Sequence, residues 1–289
     1  MSTTNESRVW FVTGSSTGFG RELVEEALAQ GDRVVATARK PETLEDLTRQ
    51  YPQTAKAIRL DVTKPGEAVA AVEEAVAAFG RIDVLVNNAG YGLIGALEEV
   101  SDEDLRRQFE TNVFGVVNVL RAALPVLRKQ RSGHILNLSS VGGFVSFPAT
   151  SPYAATKFAV EAFSEALSQE LAHLNIKVTI IEPGAFRTDF NGRSLVPPSQ
   201  PLADYPVTPQ FLNWIQEMDG KQPGDPRKAA RAMIKVVAAE KPPVRLPLGE
   251  DAITLIEAKL EAVKQELAEW RQTGVETAFD GLTAGTIGG

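Results

Sequence analysis

The chain is 289 residues long, enough for one large α/β domain and short for two full ones. It has no cysteine, which excludes disulfides, thiolate zinc sites and cysteine nucleophiles. A formal net charge of −7 and a pI near 5.1 speak against a surface that holds nucleic acid, so any bound anion needs a local site.

Short apolar runs alternate with amphipathic stretches, the pattern of strands and crossover helices in a parallel sheet. Residues 9–12 (VWFV) read as a buried first strand, and residues 21–30 as a helix stopped by Gly31. A second strand at 34–37 precedes a helix opened by Pro41, and a short third strand follows at 57–60. The alanine- and valine-rich stretch 66–79 is a helix ended by Gly80, and 82–86 is a fourth strand. A long helix is predicted from 101 to about 120 and onward past Pro125, then a fifth strand at 135–138. The spacing gives a helix over 153–174 and a sixth strand at 178–181. Right-handed connections turn this order into a doubly wound, three-layered sheet.

Between 190 and 226 the rhythm breaks. Seven prolines in that stretch argue against regular structure, while Leu195, Tyr205, Phe211 and Trp214 say that it packs on something. It is expected to be a substrate-covering insertion on a single domain spanning 1–289. A helix at 226–239, a closing strand at 244–246 and a last helix at 251–271 complete the chain. In that helix Ile253, Ile256, Leu260, Val263, Leu267 and Trp270 form a narrow apolar stripe. Packing on its own domain is the expectation for it, with a subunit contact as the alternative. The tail 280–289 is expected to be mobile. The polar opening MSTTNES carries no basic-then-apolar signal, and no run of about 18 apolar residues occurs. A cytoplasmic protein with no membrane partner is expected.

Residues 13–20 (TGSSTGFG) follow the first strand and lead into a helix. Gly14, Gly18 and Gly20 let the backbone turn and approach a ligand. Free amides at the helix start, around Ser16, Thr17 and Phe19, then make an anion site. The spacing is Gly-x-x-x-Gly-x-Gly, and it resembles that of the short-chain dehydrogenase/reductase family, whose members have a Rossmann fold. Asn87-Asn88-Ala89-Gly90, closing the fourth strand, is similar to a second marker of that family. The resemblance implies that Asn88, Ala89 and Gly90 line the adenine ribose. It also implies that Asp61, with Val62, meets the adenine. At the end of the second strand the family's carboxylate position holds Ala38, followed by Arg39. A guanidinium can grip a 2′-phosphate, so NADP(H) is favoured over NAD(H). Thr17 stands where many NADP-using relatives carry a second basic residue.

Tyr153 and Lys157 are four residues apart at a helix start, hence on one face. Ser140 ends the neighbouring strand, so the three can converge at the carboxyl edge of the sheet. Reduction of a ketone leaves an alkoxide that must be protonated. The resemblance makes Tyr153 the acid in reduction and the base in oxidation, Lys157 the ammonium that lowers its pKa, and Ser140 the holder of the carbonyl oxygen. Ser139 competes with Ser140, and the family's thirteen-residue spacing to the tyrosine favours Ser140. Asn112 resembles the asparagine that supports a relay water beside the lysine. Pro183, Gly184, Phe186 and Thr188 resemble the segment that clasps the nicotinamide carboxamide.

These residues together imply an oxidoreductase moving a hydride between NADP(H) and a ketone or secondary alcohol. Tyr91, Leu93, Phe144, Val145, Phe147 and Phe190, with the insertion's aromatics, suggest an apolar pocket for a hydrophobic or aromatic compound. A dinucleotide-sensing protein without chemistry is the alternative, although such a protein should lack the tyrosine or the lysine. A sugar-nucleotide epimerase would need a longer C-terminal domain. His134 and His173 are the only histidines, and structural roles are expected for them, with no metal. The resemblance further implies a homodimer or homotetramer joined through the helices carrying Asn112 and Tyr153.

Overall fold

In the first strand, β1 (Val9–Val12), successive side chains enter opposite layers, as the two-residue period of a strand requires. Trp10 and Val12 join a core with Leu23, Val34 and Met233, whereas Phe11 joins one with Val35, Leu85, Val119 and Ile135. A strand buried on both faces needs the unbroken apolar run VWFV. The one polar atom of Trp10 is satisfied, its Nε1 donating to Asp32 Oδ2 at 2.7 Å.

The computed structural model describes residues 7–190, 192 and 194–279. The expectations for the opening residues and for the tail at 280–289 fall outside them. After β1 come α1 (Gly18–Ala29), β2 (Arg33–Ala38), α2 (Glu45–Gln50), β3 (Ala55–Arg59), α3 (Pro65–Phe79), β4 (Val84–Asn87) and a two-residue β5 (Gly92–Leu93). They are followed by α4 (Asp102–Phe109), α5 (Gly115–Gln130), β6 (Gly133–Leu138), α6 (Ser151–Glu170), β7 (Ile176–Pro183) and β8 (Leu195–Val196). The chain ends with α7 (Val207–Met218), α8 (Pro226–Ala238), β9 (Arg245–Leu248) and α9 (Glu250–Val275). A seven-stranded sheet runs in the order β3-β2-β1-β4-β6-β7-β9, parallel at every pairing. This is the expected doubly wound, Rossmann-like fold with helices on both faces. The strand order reverses between β1 and β4, which opens a crevice at their carboxyl ends. No helix among the described residues is long and apolar enough to cross a membrane.

Several local expectations are corrected. The helix predicted from 101 does run past Pro125, to Gln130, but α4 passes into α5 through a π turn at Glu110–Phe114 that the spacing does not foresee. Pro41 opens a 3-10 turn (Pro41–Leu44) and only then the short α2. The proline-rich insertion holds a regular helix after all: Pro206 precedes α7, and Pro209 sits in its first turn, where no intrahelical donor is lost. β8 pairs with β5 and ties the insertion to the segment after β4. The stripe on α9 does not pack on its own domain, since Ile253, Leu260, Leu267 and Trp270 are all exposed. Only the first turns of α9 reach the body.

A second fastening of the insertion is Glu99, fully buried. Its carboxylate accepts from the backbone N–H of Leu202 at 3.1 Å and of Ala96 at 2.9 Å, and from the Thr208 hydroxyl. Burial alone pushes this carboxyl up, but those bonds hold it below the usual range.

At the other edge of the sheet, Glu161 of α6 and Glu182 of β7 are buried together beside Arg245 of β9, whose Nε lies 3.1 Å from Glu161 and 3.6 Å from Glu182. Burial, then repulsion from Glu161, pushes Glu182 up to about 8, and burial also raises Glu161. A carboxyl whose folded pKa exceeds its unfolded one stabilises fully below the unfolded value and loses that contribution as pH rises through the folded value. Melting temperature should therefore fall between about pH 5 and pH 8, and Glu182→Gln should flatten that slope. Thermal unfolding of the two proteins across the window checks this, and equal slopes would contradict it.

Candidate active site

The glycine loop and the end of β4 are locked together by Asn88 and Thr13. Asn88 Nδ2 donates to the carbonyls of Thr13 at 2.9 Å and Gly14 at 3.0 Å. Thr13 Oγ1 in turn accepts from the backbone N–H groups of Asn88 at 2.9 Å and Ala89 at 3.1 Å. The fit requires glycine. A Cβ on Gly14, which has φ +67°, would lie 2.9 Å from Ala89 Cα, and one on Gly20 would lie 2.5 Å from both Asn88 Nδ2 and the Gly14 carbonyl oxygen. Helix α1 begins at Gly18, three residues before the predicted start, so Gly18, Phe19 and Gly20 form its first turn. Its N-cap, Thr17, makes no side-chain capping bond, and first-turn amides have no acceptor within the helix. Loop and helix start together form a cradle suited to a pyrophosphate.

Arg39 is exposed just past the end of β2, and its charge reaches Asp61. Burial raises that carboxyl, but bonds from Thr63 and the charges of Arg39 and Lys64 lower it below its ordinary value. Asp61 Oδ1 accepts from Thr63 N at 3.0 Å and Thr63 Oγ1 at 2.8 Å, so one oxygen of the carboxylate fixes its own loop. Val62 is buried against Gly115 of α5, where a Cβ would come within 2.6 Å of it.

Ser140, Tyr153 and Lys157 meet at the carboxyl end of β6. Tyr153 and Ser140 come together over Gly142, where a Cβ would lie 3.3 Å from Tyr153 Cε1 and 3.4 Å from Ser140 Oγ, and Ser140 Oγ accepts from Gly142 N at 3.0 Å. Lys157 Nζ is buried, donates to the Leu138 carbonyl at 2.7 Å and lies 5.7 Å from the centroid of the Tyr153 ring. Ser139 points the other way, towards Glu161; adjacent strand residues face opposite sides, so Ser140 alone joins the tyrosine.

The electrostatics differ from the expectation in one respect. Crowding by protein pushes the Tyr153 hydroxyl up to about 12, offset only in part by Ser140, although the residue as a whole is only half-buried. Burial pulls Lys157 down to about 8, against the opposing pull of Glu161. The ammonium spends its nearest contact on a backbone carbonyl and leaves the phenol neutral. A neutral phenol is the form that a proton donor needs.

Asn112 lies in the π turn, and every polar group of its side chain is engaged. Nδ2 donates to the Tyr91 carbonyl at 2.8 Å and to Thr156 Oγ1 at 3.1 Å, while Oδ1 accepts from Tyr91 N at 3.0 Å. A Cβ on Gly90 would lie 3.1 Å from Asn112 Oδ1 and 3.8 Å from Lys157 Nζ, so this glycine lets the two elements close on the lysine.

The segment after β7 lies across the crevice from β4. Pro183 ends the strand, and Gly184 packs on Asp251, whose Oδ2 accepts from Ala185 N at 2.7 Å. Phe186 packs edge-on to Phe19 at 5.2 Å between ring centroids, joining this segment to the glycine loop. Thr188 Oγ1 accepts from Phe190 N at 3.3 Å, and the Phe190 ring lies 5.6 Å from that of Tyr153. Thr13, Thr156 and Asp251 were not singled out from the sequence. Thr13 stands in the glycine motif and could have been found there, whereas nothing in a helix start 98 residues after Tyr153 marks Asp251.

Phe144, Val145 and Phe147 are half-buried beside these groups, but Leu93 is core. Tyr205 donates its hydroxyl to Glu98 at 2.7 Å, and Trp214 stacks on Phe211 at the surface. A cavity of about 390 Å³ under the insertion is lined by Glu99, Pro198, Leu202, Thr208 and Leu212 among others, and not by Tyr153. His134 is buried on Thr179, 2.9 Å from its hydroxyl, and is pulled down to about 4 by burial. Among the described residues no group of three or more potential ligands could hold a metal.

A profile of the short chain dehydrogenase family matches residues 8–195. Over 273 residues the chain is 39% identical to "Oxidoreductase BOA17" of Botryotinia fuckeliana, covering 94% of this chain and 100% of that one. It is 38% identical over 247 residues to a "3-ketodihydrosphingosine reductase" of Bacteroides thetaiotaomicron, covering 84% and 88%. A crystal structure of a short-chain dehydrogenase from Streptomyces avermitilis superposes with a TM-score of 0.89 at 43% identity, covering 95% of this chain and 100% of that one. Further solved structures of the fold hold NAD, 5-hydroxy-NADP and NADP. By fold, motif and relatives alike, this chain belongs to the short-chain dehydrogenase family of oxidoreductases.

Proposed function

We propose that the protein transfers a hydride reversibly between NADP(H) and a ketone or secondary alcohol. The observation that carries this reading is the meeting of Ser140 and Tyr153 over Gly142 beside a buried Lys157, set at the crevice that opens on the glycine cradle. The cradle fits a dinucleotide pyrophosphate, and Ser16, Thr17, Gly18 and Phe19 would hold it with backbone amides and the end of the helix dipole. Asn88, Ala89 and Gly90 would line the adenine ribose, with Asp61 and Val62 near the adenine and Gly184, Phe186 and Thr188 near the nicotinamide. The bound dinucleotide supplies or accepts the hydride.

Tyr153 then acts as acid. Its phenol, held neutral by burial, donates a proton to the oxygen that becomes negative as the ketone is reduced. Ser140 donates a hydrogen bond to the same oxygen, an interaction that strengthens as charge develops there. Lys157 stabilises the phenolate left behind, and Asn112 keeps the segment at Tyr91 in place beside it. In the oxidative direction the same groups run in reverse. The apolar faces of Phe190, Phe144 and Phe147 favour a hydrophobic or aromatic compound, and the reductase named for a keto compound among the relatives points the same way. Phe114, Phe158 and Phe163 are exposed on the Asn112 and Tyr153 elements, which supports a homo-oligomer joined there.

Absorbance of the reduced cofactor, followed over a panel of ketones and alcohols, tests the reaction. Tyr153→Phe should lower kcat at least about a thousandfold, within the range of acid–base contributions, with cofactor affinity nearly unchanged; retained turnover would remove the acid from its role. Arg39→Asp should weaken NADPH far more than NADH, and an unchanged preference would defeat the 2′-phosphate assignment. Because Lys157 loses its proton as pH rises through about 8, kcat for reduction should fall about tenfold per unit above that value. A level profile to pH 10 would show that the ammonium is dispensable.

A further inference from the structure

Helix α9 is 26 residues long, yet from Glu257 onward every described residue is exposed except Val263. Its stripe recurs at alternating steps of three and four, the a and d positions of a heptad, over nearly three heptads. Ile253 is 43% exposed, Leu260 54%, Leu267 67% and Trp270 63%. Such a row on a helix that projects from its own domain marks an interaction face.

The charges beside the stripe identify what covers it. With Ile253 at position a, the e positions are Glu250, Glu257, Lys264 and Arg271, and the g positions are Ala252, Lys259, Glu266 and Thr273. We propose that α9 pairs with α9 of a second copy as an antiparallel two-stranded coiled coil. Ile253 then faces the partner's Trp270, Ile256 the partner's Leu267, and Leu260 the partner's Val263. In this arrangement e positions meet e and g positions meet g. Glu250 meets the partner's Arg271, Glu257 the partner's Lys264, and Lys259 the partner's Glu266. The two-fold axis repeats each pair, so every charge at these flanks meets its opposite.

A parallel pair sets g against the next e. It would put Lys259 against the partner's Lys264 and leave Glu257 opposite an alanine, which makes it the poorer match. A membrane surface fits less well still, because Glu257, Glu261, Glu266 and Glu269 outnumber Lys259, Lys264 and Arg271 on the projecting part. At 1.5 Å per residue the two Glu250 positions stand about 35 Å apart, which separates the bodies at the helix roots.

The chain has no cysteine of its own, so introduced thiols report without background. Both Ile253 and Trp270 are exposed, and replacing them leaves the core intact. Ile253→Cys/Trp270→Cys should give a covalent dimer on mild oxidation. Either single variant should not, because like positions lie about 25 Å apart along an antiparallel pair. Cross-linking by the single variants would establish parallel pairing, and no cross-link in the double variant would show that the helices do not pair; each overturns the proposal. Sedimentation gives an independent readout. Lys264→Glu should weaken one association step about tenfold by facing the partner's Glu257, and Glu257→Lys/Lys264→Glu should restore it. Tighter association of Lys264→Glu, the result that a parallel pair gives, would also overturn it.

Discussion

At the crevice that the strand order opens, one side-chain amide locks the glycine loop to the end of β4. Asn88 bonds the carbonyls of Thr13 and Gly14, and the Thr13 hydroxyl returns bonds to the backbone of Asn88 and Ala89. These are polar groups at the end of a buried sheet, where an unpaired donor or acceptor would cost about 1–3 kcal/mol. Satisfying them internally fixes the glycine turn before any ligand arrives. The cost of ordering that loop is then met in folding and not in binding. Gly14 and Gly20 follow from the same constraint, since a methyl group at either would collide with the partner loop.

The second constraint is burial at the sheet's carboxyl edge, and it acts in opposite senses on the two titrating groups. It favours the neutral phenol of Tyr153 and opposes the charged ammonium of Lys157. The lysine keeps its proton at neutral pH because the Leu138 carbonyl accepts from it and Glu161 lies behind it. In the proposed reduction this leaves the tyrosine poised to donate, with the Lys157 ammonium 5.7 Å from the centroid of its ring. The Glu161–Glu182 pair stands directly behind this centre, which makes the sheet edge at β9 electrostatically continuous with the proposed chemistry.

Much of this was legible in the sequence, for reasons that differ by element. The strands buried on both faces announce themselves as apolar runs, and glycine and proline mark most of the turns. The Gly-x-x-x-Gly-x-Gly loop and the Tyr153–Lys157 spacing carry their geometry in the one-dimensional pattern. The π turn at Asn112 does not, because α4 ahead of it is DEDLRRQF, too polar to set a phase that one added residue would shift. Helix α7 was hidden by prolines that happen to occupy first-turn positions, where they cost nothing. The stripe on α9 was seen, but periodicity reports only that a face is apolar, never which surface meets it. Asp251 was missed because its partner, the loop after β7, is joined to it only through the closing of the sheet.

Glu99 has a consequence for how the molecule could diversify. The stretch from Pro197 to Leu212 is anchored to the Glu99 carboxylate by the backbone amide of Leu202 and the hydroxyl of Thr208, and neither bond involves Ser140, Tyr153 or Lys157. Selection can therefore rewrite that stretch without touching the three residues proposed to transfer the proton. A scaffold divided in this way lets a lineage vary one segment while another stays fixed.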